Sequence, residues 1–308
     1  MMIDILLATY NSSKYLEQTI ESILKQEFQN WRLLIRDGGS NDNTLKIIEK
    51  YTQNYKGKII YYSSTGNACA IDNFSALLLQ SSSDYIMFCD HDDVWLPNKI
   101  SKSISIIKKN EDDSGKNVPF MLFTDKYVVN SDLSVISNSY LKYQKLNPER
   151  IKLNYLLVQN VPSGCTILIN RAFADLCGEI PNQAVMHDHW LALIGATLGK
   201  MIYLDEPTLL YRQHAKNYLG ASKYGWAYFF SKFTSGIKAA RKRFYENVEQ
   251  SKSFVEHFGN QLNNEDLQLL MEFSSLDNYN WLNRRKILLR HRIFKTGLRR
   301  NLGMFLII

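Results

Sequence analysis

Tyr85-Ile86-Met87-Phe88-Cys89-Asp90-His91-Asp92-Asp93-Val94-Trp95 is a short apolar run that ends on three carboxylates in four positions. A continuous run of this length suits a strand buried on both faces, as in a parallel sheet covered by helices. Toward the N-terminus, residues 3–8, 31–36 and 58–62 read the same way. Between the first two, Leu16, Ile20, Ile23, Leu24 and Phe28 recur at helical spacing, and Leu45, Ile48, Tyr51 and Tyr55 do so after the second. Toward the C-terminus, Pro97 can open a helix, because proline at the first helical position loses no hydrogen bond. Ile100, Ile104 and Ile107 give that helix an apolar stripe. Strands and helices alternating in this order predict an α/β domain with crossover helices.

Beyond Lys116 the texture changes. Residues 119–129, 164–170, 201–204 and 209–213 read as strands and 188–198 as a helix, so the second half is mixed and does not repeat the first. From about Tyr218 the pattern is helical, aromatic and basic. The expected division is therefore a domain over 1–217, with halves of about 1–116 and 117–217, and a helical C-terminal region over 218–308.

The 308 residues are 45% apolar, enough for one large domain with a true core or a domain plus an appendage. The formal charge of +7 is unevenly placed: residues 281–308 hold eight Lys or Arg and no acid, leaving 29 bases against 30 acids in residues 1–280. Cys69, Cys89, Cys165 and Cys177 are scattered without a C-x-x-C pair, which argues against a zinc ribbon or a disulfide framework and for reduced, mostly buried thiols. The first residues lack a basic stretch and a small-residue cleavage site, so they read as a strand and not as a signal peptide. No run of about 18 uninterrupted apolar residues suggests a spanning helix. A cytoplasmic protein is expected.

In an open parallel sheet, ligands bind beyond the carboxyl ends of the strands, and polar clusters fall at all four such ends here. They are Thr9-Tyr10-Asn11, Asp37-Gly38-Gly39-Ser40-Asn41-Asp42, Gly66-Asn67 and Asp90-His91-Asp92-Asp93. Three neighbouring carboxylates repel one another unless something neutralises them; a hard divalent cation bridging to a diphosphate would do so, and an ordinary acidic turn would carry the same residues.

The run from Phe88 to Trp95, the opening Leu7-Ala8-Thr9-Tyr10-Asn11 and the Asp37-Gly38-Gly39-Ser40-Asn41-Asp42 turn resemble the family 2 glycosyltransferases over about residues 1–215. The resemblance implies the GT-A fold: a Rossmann-like nucleotide-binding sheet, mostly parallel, mixed in its second half, here with a helical basic extension. It makes 1–116 the nucleotide-sugar half and 117–217 the acceptor half. Asp90 would lie near the ribose, Asp92 on Mg2+ or Mn2+, and Trp95 in the donor pocket. Thr9, Tyr10, Asn11 and Asp37 would meet the nucleotide, with Asp37 accepting from the pyrimidine ring, and Asn73 would join them where the next helix begins. The chain departs from the family turn Asp-Asp-Gly-Ser in having glycine at position 38.

Met186-His187-Asp188-His189-Trp190 resembles the family element that carries the general base, which makes Asp188 the candidate; an aspartate there also suits a helix N-cap. His189 and Trp190 become acceptor-binding candidates, with core packing the alternative for the indole. Tyr211-Arg212-Gln213-His214 resembles a further family element, in which Arg212 would offset diphosphate charge and His214 approach the metal.

The reaction implied is an in-line displacement that inverts the anomeric carbon. The motif combination is most similar to bacterial rhamnosyltransferases of cell-surface polysaccharide synthesis that use dTDP-L-rhamnose. UDP-galactose or UDP-glucose is the second donor reading, and a non-catalytic sugar-binding protein a more distant one. A nucleotidyltransferase would need a Gly-rich phosphate loop after the first strand, where this chain has Ala8-Thr9-Tyr10-Asn11-Ser12-Ser13. In the tail, Leu289, Ile293 and Phe294 lie at helical spacing among the bases, as in a segment resting on an anionic membrane surface at the inner face of the cell membrane, beside a lipid-linked acceptor. A helix packed on the domain with snorkelling bases would look the same. No nucleic-acid motif accompanies the basic stretch.

Overall fold

The structure, a computed structural model, describes residues 1–64, 66, 68–214 and 236–308. The expected boundary at 217/218 and Asn67 lie outside them. Two compact units are present. Of the described residues, one comprises 1–140, 162–180 and 199–214, the other 141–161, 181–198 and 236–308. The second unit thus draws in two stretches that the sequence reading had assigned to the catalytic domain.

The first unit is built on one sheet. Strands β1 (Ile3–Thr9), β2 (Trp31–Asp37), β3 (Ile59–Tyr62) and β4 (Tyr85–Asp90) are parallel, in the order β3-β2-β1-β4. Beyond β4 the sheet becomes mixed. It continues through β8 (Ile167–Asn170), β6 (Phe120–Val129), β9 (Lys200–Arg212) and the two-residue β5 (Val94–Trp95), with β7 (Val135–Ser137) beside β6.

Helices α1 (Leu16–Leu24), α2 (Thr44–Asn54), α3 (Ala70–Gln80) and α4 (Lys99–Ser114) follow the strands as expected. Leu16, Ile20 and Ile23 of α1 and Ile100, Ile104 and Ile107 of α4 enter one core with Ile3, Ile5, Leu7, Leu33 and Met87. Of the stripe expected on α2, only Ile48 and Tyr51 are buried; Leu45 and Tyr55 face solvent. Phe74 packs edge-on against Phe88, ring centroids 5.7 Å apart. Cys89, Cys165 and Cys177 are buried, Cys69 is exposed, and all four are unpaired.

The two strands expected over 201–204 and 209–213 are one. β9 runs through Asp205-Glu206-Pro207, and the register with β6 shifts at Thr124/Asp125 and again before Tyr127. A proline in a strand lacks one ladder hydrogen bond, and an irregularity of this kind accommodates it.

In the second unit, α5 (Tyr140–Tyr143, reaching in from the first unit) and α6 (Leu153–Leu156) are single turns, whereas α7 (Arg171–Cys177) belongs to the first unit. The second unit continues with α8 (His187–Thr197), α9 (Gly236–Phe258), α10 (Asn264–Ser274), α11 (Trp281–Arg290) and α12 (Leu298–Ile307). Phe244 of α9 meets Phe273 of α10 at 5.7 Å. Among the described residues, no helix is long and apolar enough to cross a membrane.

Candidate active site

At the end of β1 the buried Thr9 hydroxyl donates to Asp37 Oδ1 (2.7 Å). The same oxygen accepts from Ser40 Oγ (2.6 Å), while Oδ2 accepts from the backbone N–H groups of Gly39 (3.0 Å) and Ser40 (2.7 Å). A carboxylate offers about four lone-pair sites, and all are filled. Asp37, expected to accept from a pyrimidine, is buried here and fixes the turn after β2 through these four bonds. Asn11 closes the same turn from the other side, its N–H on Ser40 Oγ (2.7 Å) and its Oδ1 accepting from Asn41 (2.9 Å). Its φ of 47° is a left-handed conformation that asparagine tolerates. Tyr10, between them, is 56% exposed at the sheet's carboxyl edge.

Gly38 has no room for a side chain. A Cβ there would lie 2.6 Å from the Ala68 carbonyl oxygen and 3.1 Å from Asn73 Nδ2. The carboxylate common at this position in the resembled pattern is thus replaced by backbone. Asn73 is buried in the first turn of α3, accepting from Arg36 Nε (3.1 Å) and donating to the Ala68 carbonyl (3.4 Å). Asn73, expected to meet the donor, here orients Arg36 and the segment before α3.

The acidic turn after β4 sorts its carboxylates by depth. Asp90 is partly exposed, Asp92 nearly buried and Asp93 fully buried. Burial pushes the Asp93 carboxyl well up, reinforced by the charges of Asp92 and Asp90. Beneath it lie two buried lysines. Lys126 Nζ sits 3.7 Å from Cys165 Sγ, 3.7 Å from the Tyr211 ring centroid and 4.3 Å from that of Tyr140. Lys99 donates to Thr208 Oγ1 (3.3 Å), and burial brings its pKa down to about 8.

β9 delivers the remaining parts. His214 Nε2 is 2.8 Å from Asp92 Oδ2. Arg212 is 1% exposed: its Nε donates to the Asp92 carbonyl (2.9 Å), one terminal nitrogen to the Ser131 carbonyl (2.5 Å) and the other to Gln18 Oε1 (2.7 Å). Tyr15 lies under both, 4.4 Å from the guanidinium carbon and 5.0 Å, ring to ring, from His214. Arg212, expected to offset diphosphate charge, clamps the backbone of the acidic turn through the Asp92 carbonyl. Thr19 of α1 supports that turn too, its hydroxyl on the carbonyls of His91 (3.0 Å) and Asp93 (2.8 Å). Trp95, expected in the donor pocket, is 2% exposed and part of the core, because pairing of β5 with β9 turns its ring inward.

In the second unit, Asp188 stands partly exposed in the first turn of α8. The N-cap is Met186, so Asp188 is not the cap; it lies in the first turn, at the positive end of the helix dipole. The flanking acceptor candidates are corrected. His189 is buried with Nε2 2.6 Å from the Leu156 carbonyl, and burial pulls its pKa down. Trp190 is fully buried against Phe254 (5.2 Å), His257 (5.6 Å) and Phe258 (6.0 Å). Both are enclosed in a helix that is buried nearly all round, at His187 and from His189 through Gly195.

Residues 4–176 match the family described as Glycosyl transferase family 2. The chain belongs to this family. A match over more than half of the chain settles it, and relatives agree. The UDP-Glc:alpha-D-GlcNAc-diphosphoundecaprenol beta-1,3-glucosyltransferase WfgD of Escherichia coli is 30% identical over 55% of this chain and 60% of its own length. The dTDP-rhamnosyl transferase RfbG of Shigella flexneri is 28% identical over 70% of this chain and 74% of its own. Among solved structures, S. aureus TarS 1–349 in complex with UDP-GlcNAc superimposes with a TM-score of 0.54 at 17% identity, over 90% of this chain and 80% of that one. Mannosyltransferase PcManGT from Pyrobaculum calidifontis, in complex with GDP-Man and Mn2+, does so with 0.55 at 11%, over 98% and 78%. These likenesses show the GT-A fold expected for a family 2 transferase.

Two donor sets at the acidic turn of this family 2 chain could be read as metal sites. Asp90, Asp93 and Cys165 bring ligand atoms within 4.8 Å of one another. Asp93 and Cys165 are wholly buried, however, and burial drives both toward their neutral forms. Asp92 and His214 bring one hard carboxylate oxygen and one imidazole nitrogen together at 2.8 Å, and the partly exposed Asp90 lies two residues earlier on the same turn; the carboxylates are the donors that suit Mg2+ or Mn2+. Sequence reasoning missed Tyr15, Gln18, Thr19, Arg36 and Lys126. Tyr15 sits in the turn before α1 and the others on α1, β2 and β6, all with unremarkable local sequence, and only their long-range partners mark them.

Proposed function

We propose that this family 2 glycosyltransferase is an inverting enzyme that moves a sugar from a nucleoside diphosphate to a lipid-linked or polysaccharide acceptor in bacterial cell-surface glycan synthesis. The observation that carries the reading is the meeting of Asp92 and His214 at 2.8 Å, at the carboxyl edge of the parallel sheet. A divalent cation held there by Asp92 would offset charge on the departing diphosphate, with Asp90 two residues earlier on the same turn. Tyr10 presents an exposed ring to the nucleotide at the same edge. Arg212 acts at one remove, keeping the Asp92 backbone in place. Asp188 takes the proton of the acceptor hydroxyl as that oxygen forms its bond to the anomeric carbon and the carbon–diphosphate bond breaks.

For the donor, dTDP-L-rhamnose stands first, supported by the match to RfbG over 70% of the chain. UDP-glucose is second, supported by WfgD, and UDP-galactose shares its base. The diphosphoundecaprenol in that relative's name supports a lipid-linked acceptor and a place at the inner face of the membrane.

A thermal-shift panel of UDP, dTDP, GDP and their sugars, each with and without Mn2+ or Mg2+, tests the reading. A ligand at about 100 times its Kd stabilises by ~2.7 kcal/mol. Metal-dependent stabilisation by dTDP- or UDP-sugar, followed by transfer to a lipid-linked acceptor, is expected. Binding without turnover on any acceptor would favour a non-catalytic sugar-binding protein, and no response from folded protein would overturn the donor site.

A further inference from the structure

Helix α12 is arranged inside out. Its polar residues Arg300 and Asn301 point to protein: Arg300 donates to the carbonyls of Lys145 (3.0 Å), Gln144 (2.5 Å) and Thr296 (3.2 Å), and Asn301 both accepts from the N–H of Lys295 (2.7 Å) and donates to its carbonyl (2.8 Å). Its outer face is a ridge of Leu298, Leu302 and Leu306 at i, i+4 and i+8, exposed by 75%, 55% and 80%. Met304 and Ile308 fill the inner apolar positions. A surface helix of a soluble domain has the opposite polarity. Arg285 of α11 completes the mount, donating to the carbonyls of Phe305 and Ile308 (2.8 Å for the latter) while Trp281 stacks 3.7 Å from its guanidinium carbon. Trp281, Leu282 and Leu289 of α11 are themselves more than half exposed.

The basic tail therefore works differently from what its composition suggests. Arg284 is bound to the Tyr279 carbonyl and the Tyr245 hydroxyl, Arg285 and Arg300 hold α12, and Arg290 pairs with Glu272. Lys286 and Arg292 remain exposed beside the leucines, and no acid occurs in residues 281–308.

We infer that the leucine ridge of α12, flanked by the exposed apolar residues of α11, is a bilayer-docking surface that seats by insertion of apolar side chains, with charge in a secondary role. An anionic bilayer fits a leucine ridge bordered by cations and free of carboxylates. A second copy fits poorly, since an isologous contact would bring together two faces that carry exposed Lys286 and Arg292 and no acid from residues 281–308. The inference deepens the proposed function and rests on its lipid-linked acceptor, which would bring the substrate to this surface.

Flotation of the full chain with phosphatidylethanolamine–phosphatidylglycerol vesicles tests it, at low and high salt. The wild type is expected to float at both. The triple variant Leu298→Ser/Leu302→Ser/Leu306→Ser is expected to lose binding at least about a hundredfold at both salts, while Lys286→Gln/Arg292→Gln loses at most about thirtyfold at low salt and only a few-fold at high salt. All three substituted leucines are exposed, so unchanged melting and an unchanged response to UDP and dTDP check the fold. No flotation of the wild type, equal flotation of the triple variant, or abolition by salt would overturn the inference. So would sedimentation showing a wild-type dimer that the triple variant dissolves. Nucleotide response is read on the same preparations: failure to float with that response intact sinks the docking surface alone, and the reverse result sinks the transferase reading.

Discussion

His214 Nε2 lies 2.8 Å from Asp92 Oδ2, tying the end of the sheet's longest strand to a turn 122 residues earlier in the chain. Substituting either should separate metal-dependent binding from folding. His214→Ala and Asp92→Ala are expected to weaken Mn2+-dependent binding of UDP- or dTDP-sugar by tenfold or more, because losing one ligand of such a site costs about 10- to 100-fold or more. Calorimetric titration of the donor with and without Mn2+ reads this, and equal metal dependence in the variants would remove both from the site.

Asp188→Asn keeps the size of the side chain and removes its basicity. Transfer should fall by roughly 10²- to 10⁴-fold with donor affinity unchanged. Single-turnover transfer of radiolabelled sugar measures the first and titration the second; near-wild-type turnover would refute the assignment of the base.

Arg212→Met should act on stability as well as on the site. It leaves the Asp92 and Ser131 carbonyls and Gln18 without their charged donor, and each unsatisfied buried group costs about 1–3 kcal/mol. A loss of roughly 3 kcal/mol in urea unfolding is expected, with weakened donor binding in the fraction that folds. A stable variant with normal melting and only a raised KM would mean that the guanidinium faces the ligand instead.

Gly38→Ala is expected to destabilise by about 1–3 kcal/mol, since its Cβ would press on the Ala68 carbonyl at 2.6 Å and a backbone atom cannot rotate away. Gly38→Asp, which restores the carboxylate of the related pattern, should be worse. Melting temperatures of the two decide it.

Asp42 gives the turn a pH signature. Slight burial pushes its carboxyl up, but hydrogen bonds from Thr44 and Ser13 outweigh this and bring it to about 2, below the ordinary 3.8. Its contribution is therefore full above about pH 4 and is lost as pH falls toward 2. Asp42→Asn should melt lower than wild type at pH 6, with the difference closing below pH 3 in an acid series.

The first four strands were legible because parallel strands buried on both faces are short, mostly apolar runs: Tyr85–Cys89 is unbroken, and in Ile3–Thr9 the single charge of Asp4 does not hide the pattern. β9 was split in reading because Asp205-Glu206-Pro207 looks like a loop, and the shift in the β6 register that absorbs it leaves no local trace. At the site, residue type was legible and direction was not. Asp37, Asn73, Trp95 and Arg212 sit beside the motifs as expected, yet each points inward, because polar groups that rigidify a ligand-binding edge use the same side chains as those that touch the ligand. His189 and Trp190 fail for a related reason: next to Asp188 on a helix, successive residues face different directions.

The span between Asp92 and His214 also sets an order of events at the ribosome. At about 5–20 residues per second, the 122 intervening residues take roughly 6 to 24 s to emerge, during which the acidic turn exists without the histidine. Three carboxylates must wait in one turn with their imidazole partner not yet synthesised. Thr19 is already out of the exit tunnel by then, and its hydroxyl, on the carbonyls of His91 and Asp93, can hold the loop in shape until the last strand slots in beside β6.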